Sequence, residues 1–539
     1  MTSIERTAYP RFTHAPSTKE LREFYTPTPE DETFISTMAR GAAPQLSLMI
    51  LLKVFQRMWY FPSPEAIPVS VIRHIRMAMN LQEEVVPDIT PRTLYKYHAA
   101  VRKHLRIHSE PRETKTIFRK VVRAVRTAVP VMDDPADLIN VAIETLVNAS
   151  GELPAFSTLD TLVTRIRKAR HDSYFRLVAE RLTPGEQAQL SSLLETQVPG
   201  QGSGFNRVKE VPKSATLSHL DEWLSRLTWL QSYGSMEQLI SGLPHAKIKH
   251  FAVEARALHA SDMWDFAPSK RFTFLVCLLF QATVATRDEV VQMFLKRMSK
   301  LRDRAKEELA LIHERERETT EHLIEVLTTV LTTVTEVQDD VALGNQVRDV
   351  FTKAGGTTQL LMQCEQVTAH HGNAYQPLLA QFYTSHRSAL FRVLKTLDFH
   401  ATTQDQAVKT AIEFLLAHEQ NRKEYFTKTL DLSFADKEWH RLVQVRQKGK
   451  DVLARRHLET CIFTYVAAEL KTGDLCVRGS EQFADYREQL LSWEECEPKV
   501  AEYCQHVGFA GTADGFVEQV RALLTETANE VDRKRPANK

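Results

Sequence analysis

No run in this sequence is long and apolar enough to cross a bilayer. The longest largely apolar stretch, Phe272 to Phe280, closes at Gln281. A helical span needs about 20 such residues, so the stretch reads as a buried core helix. An apolar leader for export is missing as well, because Glu5, Pro10 and Pro16 stand where it would lie. The six cysteines, Cys277, Cys364, Cys461, Cys476, Cys496 and Cys504, never take the two-residue spacing of a zinc or redox pair, and they read as reduced core thiols. Glycine is scarce, at 18 of 539 residues, and alternating β-branched runs are few. Both shortages argue against a sheet-rich fold.

Helical periodicity fills the space these absences leave. Leu323, Val326, Leu327, Val330, Leu331 and Val334 recur at helical intervals within Glu321 to Val341 and share one face. The expected fold is all-α and multi-domain, with a helix-turn-helix-like pair near its start. An apolar helix is expected from Leu46 to Phe61, ended by Pro62 and Pro64, and Pro130 and Pro135 bracket a short turn. Val198-Pro-Gly-Gln-Gly-Ser-Gly-Phe205 reads as a flexible linker through Gly200, Gly202 and Gly204. It is not a nucleotide loop, since no strand precedes it and no Gly-Lys-Ser/Thr follows.

The formal net charge of +1 conceals a strong local asymmetry. Between Arg92 and Arg126 stand eleven basic residues against two acidic ones, Glu110 and Glu113. Such a segment calls for a polyanionic partner. Its first helix is expected from Pro91 to Arg106, with Thr90 as N-cap and Pro91 at the first helical position, where a missing N–H costs nothing. Leu94, Val101 and Leu105 fall on one side. Arg92, Lys96, Lys103 and Arg106 gather opposite, with Tyr95 at the margin and Arg102 in the same basic set. One face fits a core and the other fits a major groove. A preceding helix, Val69 to Asn80, carries Arg73 and Arg76, but the connection from Leu81 to Thr90 is longer than a helix-turn-helix turn.

A second basic helix is expected from Lys115 to Ala128, with Thr114 as cap. Its buried side would be Ile117, Val121, Ala124 and Ala128, and its basic side Lys115, Arg119, Arg123 and Arg126. A third begins at Ser157-Thr-Leu-Asp160, which has the form of a capping box. Leu159, Leu162, Val163 and Ile166 would face inward there. Arg165 and Lys168 would reach phosphates, and Arg170 stands nearer the apolar arc. One such helix is ordinarily a solvated amphipathic face. Three within about eighty residues favour nucleic acid, with phosphate contacts supplying most of the affinity.

Other groupings are weaker. Asp474, Asp485, Glu488, Glu494, Glu495 and Glu497 read as a solvated or partner-facing surface rather than a metal site. His370 and His371 precede Gly372 in a polar loop, and Lys471-Thr-Gly473 lacks the companion motifs of a β-lactamase.

Several blocks together resemble a known family. They are Leu153-Pro-Ala-Phe-Ser-Thr-Leu-Asp-Thr-Leu162 with the basic run to Arg170, and Met263-Trp-Asp-Phe-Ala-Pro-Ser-Lys-Arg-Phe272. Arg455-Arg-His-Leu-Glu-Thr-Cys461 follows, continuing through Glu469-Leu-Lys-Thr-Gly-Asp474. Asp485-Tyr-Arg-Glu-Gln-Leu-Leu491 and Trp493-Glu-Glu-Cys-Glu-Pro498 complete the set. In this order they resemble the replicative transposases of the Tn-three family, the large proteins called TnpA.

The resemblance implies helical N-terminal domains that bind terminal inverted repeats of double-stranded DNA, and middle domains that link and dimerise. It also implies a following RNase H-like domain that binds magnesium through an Asp-Asp-Glu triad. On that pattern residues 1–110 form a first DNA-binding domain and 111–198 a second. Residues 206–345 form a linker or third binding region, and 346–539 a dimerisation and pre-catalytic region. The chain stops at Lys539, where the catalytic fold would be expected to start, so no catalytic residue and no cofactor is assigned to it. The implied partners are DNA and a second copy or an intact transposase, not a membrane, in a bacterial cytoplasm near the nucleoid. The alternative is a helical protein-interaction scaffold, or a decayed remnant acting as a competitive inhibitor.

Overall fold

A computed structural model describes residues 2–88, 90–195, 203–369 and 375–534. Gly200 and Gly202 of the expected linker, the His370–His371 pair with Gly372, and residues 535–539 lie outside them. Helices dominate throughout, and none is long and apolar enough to cross a membrane among the described residues. The chain divides into two compact units. The first is Met1–Glu210 with Leu230–Ala282, and the second is Val211–Trp229 with Thr283–Lys539.

Two helical cores of the first unit position the basic helices. One is centred on the Ala42–Met58 helix, which is apolar on nearly every side and therefore buried on nearly every side. Its one charged buried residue, Lys53, is matched by Asp31 at 3.2 Å, and Gln56 Nε2 donates to the same carboxylate at 3.1 Å. Asp31 also accepts from the Thr28 backbone N–H at 2.9 Å, so it closes a capping box for the Pro29–Met38 helix. The Val69–Ala78 and Pro91–His104 helices both pack on Ala42–Met58. The second core joins Pro111–Ala128, Pro135–Asn148 and Phe156–Arg181 through Val121, Val125, Leu138, Ile139, Leu159 and Val163.

The second unit is built around the Arg455–Thr472 helix, against which Gln376–Tyr383, Ala407–Ala417 and Lys437–Val443 pack. Glu459, buried in that helix, receives two hydrogen bonds of 2.9 Å from the Arg387 guanidinium. Five short strands, which the helical periodicity does not predict, appear here among the described residues. Phe399–Ala401 pairs antiparallel with Leu475–Val477, placing Phe399 opposite Val477. Tyr425–Phe426, Lys450–Ala454 and Gln444–Gln447 form a three-stranded sheet with Lys450–Ala454 central. Segments this short carry too few alternations to register as strands.

Several local expectations are corrected. Thr114 is not a cap: Pro111 starts the helix three residues earlier, and the Thr114 hydroxyl instead donates to the Glu110 carbonyl at 3.0 Å. Ser157 and Asp160 make no capping box, because the helix starts at Phe156. Asp160 is buried and accepts from the Thr2 backbone N–H at 3.1 Å. Gly204 is not linker but the first residue of the Gly204–Val208 helix, which buries Phe205 completely. Of the apolar face in Arg317–Glu336, only Val326 is buried, while Leu327 and Leu331 are 57% exposed. Cys277, Cys461 and Cys476 are buried as expected, but Cys364 is exposed and Cys496 and Cys504 are half-buried. In the acidic region Asp485 caps the Tyr486–Gln489 turn, accepting from the Arg487 backbone N–H, and Glu495 reaches back within the Trp493–Val507 helix to accept from the Ser492 backbone N–H.

Candidate nucleic-acid interface

The second basic helix, Pro111–Ala128, buries Ile117, Val121 and Val125 at intervals of four. Ala124 and Ala128, assigned to that side from the sequence, are half-buried at its flank. Lys115, Arg119, Arg123 and Arg126 fall on the exposed side, close to one line along the helix. The third basic helix runs much further than its start suggests, from Phe156 to Arg181, and buries Leu159, Val163 and Ile166. Arg165 and Arg170 stand exposed on it.

These two helices form a single groove of about 1080 Å³. Lys115, Arg119, Arg123, Arg126, Arg165 and Arg170 all line it. Phe118, Val122, Pro130 and Ile166 contribute apolar surface between them, and no lining residue is acidic. None of the six cations has an ion-pair partner among the described residues. Arg170 rests over the Tyr174 ring at 5.4 Å, which limits its freedom without neutralising it. Six like charges around one concave surface repel one another, and a bound polyanion relieves that repulsion. Lys168 is exposed on the same helix but does not line the groove.

The Pro91–His104 helix is capped by Thr90, whose hydroxyl accepts from the Thr93 N–H at 3.3 Å. Tyr97, Ala100 and Val101 are its buried side, whereas Leu94 and Leu105 are only half-buried. Arg92, Tyr95, Lys96, Ala99 and Lys103 share an exposed stripe, with Tyr95 80% exposed. Arg106 lies past the helix end and is exposed. Arg102 is engaged differently. Its Nε donates to Glu152 at 2.6 Å, Nη2 to the same carboxylate at 3.2 Å, and its guanidinium covers Phe61. His98 stacks on the other side chain of that cluster, Phe61, at 3.7 Å between ring centres. Burial, aided by the charge of Arg102, pushes its pKa down to about 4. It is therefore neutral at physiological pH.

A constellation that no sequence motif marks lies at the middle of the third helix. Asp133, in the turn between Pro130 and Pro135, receives Arg167 at 2.5 Å, His171 at 3.0 Å, His250 at 2.7 Å and the Lys247 ammonium. Burial alone would raise the Asp133 pKa. The hydrogen bonds from His171, His250, Arg167 and Lys247 outweigh it and hold the carboxyl far below the usual carboxylate range. The same contact, with help from Glu254, raises His250 to about 9. Lys247 is 1% exposed, so its charge depends on Asp133. The network ties the His245–Ala257 helix and the Pro130–Asp134 turn to the Phe156–Arg181 helix that carries Arg165 and Arg170. Arg167 and His171 stand fewer than forty residues from Asp133 and Lys247 and His250 more than a hundred, and no sequence pattern links the five.

Among the described residues no group of three His, Cys, Asp or Glu side chains is placed to hold a metal ion.

A family described as a domain of unknown function (DUF4158) matches residues 1–166, which include all of the Pro111–Ala128 helix and the start of the third. The transposase for transposon Tn501 of Pseudomonas aeruginosa is 21% identical over 416 residues, covering 77% of this chain and 42% of that protein. The transposase for transposon Tn1546 of Enterococcus faecium is 19% identical over 493 residues, 88% of this chain and 49% of that one. The transposase for transposon gamma-delta of Escherichia coli is 20% identical over 534 residues, 98% and 52% respectively. The chain spans about half the length of the curated relatives it matches. It is similar to these transposases across most of its own length, at about one identical residue in five.

Proposed function

We propose that this chain binds double-stranded DNA at the terminal inverted repeats of a transposon, as the end-recognising, non-catalytic portion of a transposase. One observation carries the reading: six unpaired cations from two helices line one groove that contains no carboxylate. Phosphates entering it would release condensed counterions, which supplies affinity without regard to sequence. Arg92, Tyr95, Lys96 and Lys103, on the exposed stripe of Pro91–His104, are the side chains we assign to base edges, and Arg106 and Lys168 to flanking phosphates. Arg102 acts by holding Glu152 and Phe61 rather than by touching DNA.

The test is fluorescence anisotropy with a labelled duplex at several salt concentrations, comparing the chain with Arg119→Ala/Arg123→Ala/Arg165→Ala/Arg170→Ala. Each phosphate contact contributes about 0.9 to the slope of log K against log salt. The variant is expected to flatten it by roughly three to four. An unchanged slope would remove the groove from the interface.

A second reading, protein scaffolding, is favoured by one observation. The Arg317–Glu336 and Thr357–Ala369 helices expose Ile324, Leu327, Leu331, Leu361 and Met362. On that reading, DNA binding would show no sequence preference, and the chain would associate with itself or another protein through these helices.

A further inference from the structure

The second unit carries a basic feature that the sequence reading passed over. The Lys437–Val443 helix runs directly into the Gln444–Gln447 strand, which turns back through Lys448 and Gly449 into Lys450–Ala454. Gln447 is opposite Lys450, so the loop contains two residues. Both have positive φ, 49° at Lys448 and 77° at Gly449. Two left-handed residues in succession match the twist of paired strands, and this tight turn makes the hairpin a defined projection. Val452 and Leu453 are buried at its base, while every residue from Arg446 to Asp451 is exposed.

The charges are concentrated at the projecting end. From Lys437 to Lys450 the chain has five basic residues, Lys437, Arg441, Arg446, Lys448 and Lys450, and one acidic residue, Glu438. Glu438 accepts from Gln376 at 2.6 Å. Lys437 and Arg441 are one helical turn apart on an exposed side, opposite the buried Trp439 and Val443. None of the five has an ion-pair partner among the described residues, although Asp451 faces Arg446 across the ladder. Gln444–Gln447 is also the free edge of its sheet. Charge on an edge strand can serve only to block pairing with another chain. That role explains Arg446. It does not explain Lys448 and Lys450 in and beside the turn, nor Lys437 and Arg441 on the preceding helix.

We propose that this helix and hairpin form a second DNA-contacting element, in which Arg446, Lys448 and Lys450 meet the phosphates of a duplex and Lys437 and Arg441 extend the contact. The proposal rests on the DNA-binding reading of the chain but concerns residues that reading does not use. It adds a grip made by point charges on phosphates, which supplies affinity without regard to sequence.

The test uses the whole chain and Arg446→Ala/Lys448→Ala/Lys450→Ala, with Lys448→Glu/Lys450→Glu as a second variant. Binding to a duplex is followed by anisotropy across salt, and circular dichroism melting confirms that each variant folds. The alanine variant is expected to flatten the salt slope by about two to three. The glutamate variant should weaken binding further at low salt and leave sequence preference unchanged. A slope and affinity matching the parent in both variants would overturn the proposal and leave the hairpin as a guarded sheet edge. If the parent and the groove variant bind DNA alike but the hairpin variants do not, the groove assignment fails and the hairpin stands. If the parent shows no salt-dependent binding, both fail together.

Discussion

Asp133 illustrates how a single side chain can hold a surface that it does not itself line. Its carboxylate is the counter-charge for a buried ammonium, Lys247, and meets Arg167, His171 and His250 as well. Removing it leaves the buried Lys247 ammonium with the Met132 carbonyl at 2.9 Å but no counter-charge. Asp133→Ala is therefore expected to destabilise the first unit by about 3–5 kcal/mol, read by chemical denaturation. A loss within experimental error would mean that the network contributes nothing net. The pH dependence has a definite sign. His250 is raised to about 9 in the folded protein from an ordinary value near 6.5. Its contribution is fully present below about 6.5 and is lost as pH rises through about 9. The stability advantage of the parent over His250→Gln should shrink across that interval. An advantage that grew with pH would contradict the assignment. None of this was legible in the sequence, where Asp133 reads as one more turn residue.

Helices were the most legible elements, and their starts and faces show where that legibility ends. Proline at the first position marks Pro91–His104 and Pro111–Ala128, and the first of these starts where expected. Thr114 misled because hydroxyl residues also hydrogen-bond back to the preceding turn. Charged faces were assigned better than apolar ones. Lys115, Arg119, Arg123 and Arg126 lie together as anticipated, whereas Tyr97, Ala100 and Val125 were missed as core. The reason is physical: an exposed charge needs only its own helix for its placement, but a buried contact depends on which neighbour arrives. The convergence of Arg165 and Arg170 on the second helix's stripe is likewise a tertiary fact. For Pro91–His104, replacing Arg92, Lys96 and Lys103 with Ala should abolish preference for one sequence over another while keeping most non-specific binding. Retained preference in competition binding would assign base contact to another element.

At the scale of the whole molecule, a formal net charge of +1 gives no hint of a nucleic-acid partner, because acidic segments elsewhere balance the basic ones. The basic excess stands on particular faces: the groove and the Pro91–His104 stripe of the first unit, and the hairpin of the second. Helical class was evident from scarce glycine and from periodicity. The strands were not, since the Lys450–Ala454 strand and its partners are held by tertiary packing on Lys437–Val443 and Arg455–Thr472. Similarity to transposases extends across most of the chain at about one residue in five, a level at which surface charges need not be shared. The groove must accordingly be tested on this protein.

The most direct measurement is a pull-down of sheared genomic DNA by the purified chain at near-physiological salt, with the captured fragments sequenced. The account predicts enrichment of short inverted repeats that flank a transposon, and loss of that enrichment when Arg92, Lys96 and Lys103 are replaced with Ala. Captured fragments with no sequence in common, or no captured DNA at all, would contradict it.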